Sequence, residues 1–400
     1  MKILQLSTSL QGGAGIAAKR LNEALNSIGA NSNIYALGKN SLSLKESEYL
    51  IERISTKTIK SKINTFIQYR FVQNSSNLIT TSSISTLDVN KFDFTEYDVI
   101  HLHAVYNLLN DKDLFNLFDT NKKIFITLHD QRLFTGGCHY SKSCAKYRDI
   151  CDECPQVHKI FRNMVKTNLQ FRVDRISFLK NVKIVSPSKW LAELAQSSRL
   201  LEKNKIEIIN NPIPIIFASQ DFMANRAEFD YKENEIVITF IAADLSNPNK
   251  GLQTLLEALK KIDTVRMKHL KLVLIGKNAP ILILEHIKNV IVPDGSESTI
   301  AKRLSASDLV VVPSIIDNSP NVIGEALMSG VKVFSSRVGG NCEILEHFDL
   351  PSFDCDNSEQ LSKLIIDFNK NYDREEIRKK AQTFFDYQTI GHKMLSLYST

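Results

Sequence analysis

The segment Asp317-Asn-Ser-Pro-Asn-Val-Ile-Gly-Glu325 brings together two carboxylates, a Pro-Asn turn and a helix start, between the strand-like run Asp308-Leu-Val-Val-Val-Pro313 and Gly330. Carboxylates accept paired hydroxyls, and the unpaired amides of a helix start bind anions. Asn321 would open that helix. One segment offering both functions suits a ligand that carries hydroxyls and phosphates together, as a nucleotide-sugar does. Taken alone, the same residues also describe an ordinary helix cap, with Asp317 and Pro320 at the start and an acid in the first turns. Only a joint pattern with distant residues separates the two readings.

Further residues supply that pattern. Lys250, in Asn249-Lys-Gly-Leu252, places a point charge just before a helix start, an arrangement suited to a diphosphate. Gly12-Gly-Ala-Gly15 joins a first strand to a helix where missing side chains let backbone approach a ligand, although the spacing is neither a P-loop nor Gly-x-Gly-x-x-Gly. A tight turn alone would explain it equally. His129, at the end of a strand, could exchange hydrogen bonds with hydroxyls near neutral pH. His101 and His103 fall two apart on a strand, facing one way, and read as packed or hydrogen-bonded. Cys138, Cys144, Cys151 and Cys154 gather four of the six cysteines in one loop. The Cys151-x2-Cys154 spacing chelates zinc well, so a structural zinc stands against free thiols or an oxidised pair, with His139 as a metal neighbour. Asp111-Lys-Asp113 and Asp354-Cys-Asp356 match the Asp-x-Asp of metal-dependent transferases, but neither follows a strand as that chemistry requires, and both read as caps.

Apolar strands alternate with helices along the chain. Strands are expected at 2–7, 32–37, 98–103, 123–128 and 183–186, with helices near 16–28, 111–118, 160–179 and 188–197. The pattern stops at Asn211-Pro-Ile-Pro214 and restarts with strands at 235–241, 270–275, 289–292, 308–312 and 331–335. Helices near 251–262, 297–306, 321–329 and 341–347 separate these, and a last helix is expected over 374–399. Strands separated by helices imply parallel sheets covered on both faces. The expected organisation is therefore an α/β chain of two Rossmann-like, doubly wound domains facing a central cleft. The first covers 1–212, a linker 213–234, and the second 235–400, with the last helix crossing back. Open sheets of this kind bind ligands beyond the carboxyl ends of their strands.

Four hundred residues, 43% hydrophobic and 24% charged, describe ordinary globular protein. No apolar run reaches the roughly eighteen residues of a membrane span, and Met1–Ser7 is short and polar for a signal sequence, so the chain reads as cytoplasmic. Residues 1–180 hold 24 Lys+Arg against 16 Asp+Glu, a net of 24 − 16 = +8. Within them Arg53, Lys57, Lys60, Lys62 and Arg70 alternate with Ile59, Ile63, Phe66, Ile67 and Phe71 at helical spacing. That stretch is either a basic amphipathic helix lying on acidic lipid or an ordinary packed helix with solvated lysines. No pattern suggests a nucleic-acid partner.

Together Asp317-x7-Glu325, Asn249-Lys-Gly-Leu252, Val338-Gly-Gly-Asn-Cys-Glu343 and Gly12–Gly15 resemble glycosyltransferase family 4, whose members have the GT-B fold. Thr127-Leu-His-Asp130, Phe134-Thr-Gly-Gly-Cys-His-Tyr140 and Cys151-Asp-Glu-Cys-Pro-Gln156 are similar to its colanic-acid and exopolysaccharide branch. The resemblance implies a retaining transfer of sugar from a nucleotide-sugar to a hydroxyl, without an obligatory catalytic metal. Front-face displacement is the expected route, with double displacement as the alternative. It places Glu325 on the donor ribose, Asp317 by the sugar hydroxyls, Lys250 on the diphosphate, Gly13 by the phosphates and reacting carbon, and His129 beside the transferred sugar. It implies a glycan or polyprenyl-diphosphate-linked acceptor in capsule, exopolysaccharide or O-antigen assembly, with the protein peripheral on the inner face of the cell membrane. Two positions depart from the family. Asp317 stands where Glu is usual, and Asp244 stands where an Arg often serves as second phosphate ligand. A non-enzymatic nucleotide- or glycan-binding protein on the same fold is the alternative that Asp244 supports best.

Overall fold

A computed structural model describes residues 1–38, 51–55, 79–80, 85–87, 89, 92–263, 269–280, 287–293 and 295–400, the side chains of 37–38 and 51–55 excepted. The chain divides into two compact units, Met1–Asn211 with Ile390–Thr400, and Pro212–Thr389.

The first unit contains β1 (Lys2–Ser7), α1 (Gly12–Ser27), β2 (Asn31–Gly38), β3 (Ile51–Ser55), β4 (Val99–His103), α2 (Asp111–Phe118) and β5 (Lys123–Thr127). After these come α3 (Arg162–Val173), β6 (Val182–Ser186), α4 (Lys189–Gln196) and β7 (Ile206–Ile208). The described strands form one sheet in the order β3-β2-β1-β4-β5-β6-β7, all pairs parallel. Side chains alternate across it, as the two-residue period of a strand requires. Leu4, Leu6, Ile100 and Leu102 enter one core, while Ile3, Val99, Phe125 and Val185 enter the other against Leu21 and Leu25 of α1. Burial on both faces explains why these strands read as near-continuous apolar runs.

The second unit contains α5 (Phe222–Glu228), β8 (Ile236–Asp244), α6 (Leu252–Lys260), β9 (Leu270–Lys277), β10 (Lys288–Val292), α7 (Glu297–Ser305) and β11 (Leu309–Val312). It continues with α8 (Asn321–Met328), β12 (Lys332–Ser336), α9 (Asn341–Phe348), β13 (Ser352–Phe353), α10 (Ser358–Ile366) and α11 (Arg374–Phe385). Its sheet runs β10-β9-β8-β11-β12-β13, again all parallel. Ile238, Phe240 and Leu274 pack on Leu252, Leu255 and Leu259 of α6, and Val310, Val312 and Val333 pack on Ile323 and Leu327 of α8. Both sheets are doubly wound with one reversal of strand order, between β1 and β4 in the first and β8 and β11 in the second. At such a reversal the loops diverge and leave a crevice. The GT-B class expected from the sequence is the architecture found.

Three local features differ from the sequence reading. Residues 213–234, expected as a linker, are folded into the second unit. Phe217 is fully buried there, and Arg226 of α5 donates to Asp308 Oδ2 at 2.8 Å. The same Asp308 oxygen accepts from Val237 N at 2.8 Å, so the pair anchors the segment to β8. The last helix is two helices, α11 and α12 (Tyr387–Ser399), because Asp386 turns extended and its carboxylate accepts from Gln388 N and Thr389 N. From Ile390 onward α12 belongs to the first unit, where Ile390, Met394 and Tyr398 fill the α1 face of the sheet. Finally, Arg53 lies in β3, and the rest of the basic amphipathic stretch 53–71 falls outside the described residues.

Candidate active site

In the second unit, β8 and β11 deliver two loops to the crevice beyond their carboxyl ends. The loop after β8 ends in the 3-10 turn Pro248–Lys250, where Asn247 Oδ1 accepts from Asn249 N at 3.0 Å. Gly251 then takes φ +71 and opens α6. A Cβ there would stand 1.8 Å from the Pro313 carbonyl oxygen, so only glycine lets this turn lie against the loop after β11. Asn249 O accepts from Ile315 N at 2.8 Å, tying the two loops together.

That contact fixes the central pair. Lys250 Nζ lies 2.7 Å from Asp317 Oδ2, and Ser314 Oγ lies 3.3 Å from the same oxygen. Asp317 Oδ1 accepts from Asn318 N at 3.0 Å, while the backbone oxygen of Asp317 accepts from Gly340 N at 3.3 Å. A Cβ on Gly339 would stand 1.8 Å from that backbone oxygen. Helix α8 starts at Asn321 with Pro320 as its N-cap and no side-chain cap. Asp317 is therefore not the helix cap; its carboxylate faces a lysine contributed by another loop. Glu325, one turn inside α8, is buried. Lys250 and Asp317 thus sit on adjoining loops of one unit, with Asn321 and Glu325 in the first two turns of α8.

Asp244 closes β8 and caps its own turn, with Oδ1 accepting from Ser246 N at 2.9 Å and Ser246 Oγ at 2.6 Å. These bonds, the hydroxyl first, hold its carboxyl below the usual carboxylate range. A residue so engaged shapes the loop that carries Lys250.

In the first unit, Gly12 takes φ +74 at the start of α1 and Gln11 provides no side-chain cap. Gly15 is required by packing, because a Cβ would lie 2.2 Å from Ser9 O. Gly13 differs: a Cβ there would meet no atom of the described residues within 4 Å. Beyond β5, His129 is half-buried, and burial pushes it down to about 4 while Asp130 pulls the other way. The ring is therefore neutral at physiological pH. Its Nε2 lies 3.0 Å from His103 Nδ1, a partner the sequence reading did not assign. The only signal was the shared strand-end position of His103 and His129, which the strand order makes adjacent.

The residues around His129 form a rigid floor. Asp130 Oδ2 lies 2.6 Å from His139 Nδ1, and His139 Nε2 lies 2.7 Å from Thr80 Oγ1, so both ring nitrogens of His139 are engaged with protein. Asp111 receives Arg132 at 2.8 Å and Arg172 at 2.9 Å; its helix is capped by Asn110 instead, whose side chain accepts from Asp113 N. In the second unit Asp354 takes Arg337 at 2.6 Å and Asp356 takes Thr254 at 2.7 Å. Each Asp-x-Asp tripeptide is thus committed to structural contacts.

The four cysteines named for a structural zinc lie in one loop of the first unit. Cys138, Cys151 and Cys154 are buried in the core and Cys144 is half-buried, all as free thiols. Burial pushes Cys138 and Cys151 up to about 12, with the neighbouring thiols adding to the rise. Cys151 Sγ accepts from Gly136 N at 3.3 Å. Among the described residues no group of three or more His, Cys, Asp or Glu side chains is arranged to hold a metal ion.

Two doubly wound parallel sheets, each with one reversal of strand order, define the two-domain α/β architecture of the GT-B class. Residues 221–384 match the family model of glycosyl transferases group 1. It is 25% identical over 381 residues to a putative colanic acid biosynthesis glycosyl transferase, WcaC, of Escherichia coli K12, covering 86% of this chain and 85% of the relative. An N-acetyl-alpha-D-glucosaminyl L-malate synthase of Bacillus anthracis is 28% identical over 162 residues, 38% of this chain and 42% of its own. Among solved structures, Anabaena Alr3699/HepE in complex with UDP-glucose shares the fold at TM-score 0.63 and 17% identity, covering 100% of this chain and 99% of that one. Sucrose-phosphate synthase from Thermosynechococcus elongatus does so at TM-score 0.68 and 16% identity, covering 100% and 98%.

Proposed function

We propose that this glycosyltransferase moves a sugar from a nucleotide-sugar to a hydroxyl of a glycan acceptor with retention of anomeric configuration. The observation that carries this is the Lys250–Asp317 pair at 2.7 Å, set beside the start of α8 and Glu325. It offers a cation and helix amides for a diphosphate, and carboxylates for hydroxyls, in one crevice. UDP-glucose in the complex of HepE supports a nucleotide-sugar donor. In the proposed step the bond from the anomeric carbon to the diphosphate breaks as the acceptor oxygen bonds on the same face. The acceptor proton passes to the departing phosphate oxygen, and Lys250 with the amides of α8 stabilises the charge left there. Gly13 admits the donor backbone-close, and His129 orients the sugar.

The colanic acid relative supports a polysaccharide pathway, and the acceptor proposed for it is lipid-linked, of the polyprenyl-diphosphate type. Among the described residues no helix is long and apolar enough to cross a membrane. The proposed association is peripheral, on the cytoplasmic face, and the net charge of +8 over residues 1–180 supports it. The test is incubation with UDP-, GDP- and ADP-sugars, following nucleoside diphosphate release, then product anomer by NMR with the active donor. Release with none of these donors, or an inverted product, would refute the corresponding part.

A further inference from the structure

Beneath His129 the first unit contains one buried line of hydrogen bonds. His103 Nδ1 lies 3.0 Å from His129 Nε2, and His103 Nε2 lies 2.7 Å from Gln5 Oε1. On the other end of the same carboxamide, Gln5 Nε2 is 3.3 Å from the Tyr398 hydroxyl and 3.5 Å from Ser32 Oγ. That hydroxyl is 2.6 Å from His101 Nδ1, whose Nε2 is 2.8 Å from Thr127 Oγ1. Gln5, His101 and Tyr398 are fully buried, and His103 is 1% exposed. The line joins β1, β4, β5 and α12, so the last turn of α12 contacts the first strand.

In such a line each link needs one donor and one acceptor, since no bulk water can supply the missing role. Burial keeps the three imidazoles neutral, so each carries a single N–H, and keeps the Tyr398 phenol protonated. With the Gln5 oxygen toward His103, His103 is protonated on Nε2 and its Nδ1 is a bare acceptor. His129 must then donate from Nε2. Gln5 donates to Tyr398, which gives its one proton to His101 Nδ1, and His101 donates to Thr127. All links point the same way, from His129 to Thr127. The reverse line needs the carboxamide turned over and puts the His129 proton on Nδ1.

The geometry points to His103, Gln5 and Tyr398 as positioning residues that hold His129 in the Nε2–H tautomer, with the lone pair on Nδ1. The catalytic consequence rests on the placement of His129 at the transfer site proposed above; the tautomer itself does not. Which ring nitrogen carries the proton decides whether the ring accepts or donates, and a buried partner on the other nitrogen is what sets it. The last helix thereby bears on the chemistry through one hydroxyl.

The test is nitrogen-15 NMR of the histidine-labelled full chain at pH 7.5, with the His129 ring assigned by its loss in His129→Ala. The expected wild-type pattern is a protonated Nε2 and a bare Nδ1. Tyr398→Phe and Gln5→Met keep nearly the same volume and each removes a link, so both should turn the single tautomer into a mixture. In both, kcat for nucleoside diphosphate release should fall roughly tenfold while KM for the donor stays within about twofold. Nδ1–H in the wild type, or an unchanged Nε2–H tautomer in both variants, overturns the relay. Full turnover in His129→Ala instead overturns the placement of His129 at the site, and the tautomer result still decides the relay.

Discussion

Lys250 Nζ stands 2.7 Å from Asp317 Oδ2 across 67 residues of sequence, joining the loop after β8 to the loop after β11 at the point where strand order reverses. The lysine is about one-third exposed and the aspartate nearly buried, with side-chain exposures of 36% and 9%. The carboxylate thus holds the cation in place but competes with any diphosphate for it. Asp317→Asn keeps the shape and removes the competing charge. We expect affinity for the nucleoside diphosphate product, measured by calorimetry, to rise a few-fold, in line with about 1 kcal/mol for a half-exposed pair. Turnover should fall by roughly tenfold or more, because a charged acceptor for the sugar hydroxyls is gone. Weaker diphosphate binding with unaltered turnover would make the pair purely structural.

Glu325, proposed as the ribose ligand, is buried one turn inside α8. Glu325→Ala should weaken nucleoside diphosphate binding by roughly 10- to 150-fold, the loss of charge-assisted hydrogen bonds worth about 1.5–3 kcal/mol. The sugar-side variant His129→Ala is expected to leave that affinity in place and lower turnover. Calorimetry on both variants separates the roles, and equal affinity of wild type and Glu325→Ala removes the ribose assignment.

Gly13 offers a test of ligand approach with little interference from folding. Its neighbour Gly15 cannot accept a Cβ beside Ser9 O, whereas a Cβ on Gly13 meets no atom of the described residues within 4 Å. Gly13→Ala should therefore leave the thermal midpoint within about 2 °C, since helix α1 loses nothing by gaining an alanine. If donor phosphates come close to this backbone, KM for the donor should rise by an order of magnitude or so, the cost of overpacking a fitted contact. An unchanged KM would show that the space at Gly13 is not used.

Much of this was legible in the sequence because both sheets are covered on two faces. Runs such as Leu309–Val312 and Ile236–Asp244 announce parallel strands, and the turns that follow them are where ligands bind. Lys250, Glu325 and His129 could be picked out because each sits within a few residues of such a turn. What the sequence concealed were the pairings. Lys250 meets Asp317, and His103 meets His129, only because strand order places β8 beside β11 and β4 beside β5, and single-sequence periodicity carries no strand order. The polar stretch 213–234 looked like a linker for a related reason. Its anchors, Phe217 and Arg226, act through partners about a hundred residues away.

The cluster of neutral histidines also predicts an acid weakness. Burial lowers His129 to about 4 and His101 to about 3, with His103 well below its ordinary value of 6.5. An unfolded histidine takes up a proton near its unperturbed pKa, about 6.5, whereas these folded ones do not until the pH is far lower. Between those values the unfolded chain binds more protons, so stability is intact above pH 6.5 and falls as pH drops toward 4. For His129 alone the loss by pH 4 is on the order of 3 kcal/mol, and the other two add to it. Denaturant melts from pH 7.5 to 4 should show this decline. His101→Gln, which titrates in neither state, should flatten the slope by up to one proton, about 1.4 kcal/mol per pH unit, between pH 6 and 4. An equal slope in wild type and variant would mean that His101 is not held neutral in the core.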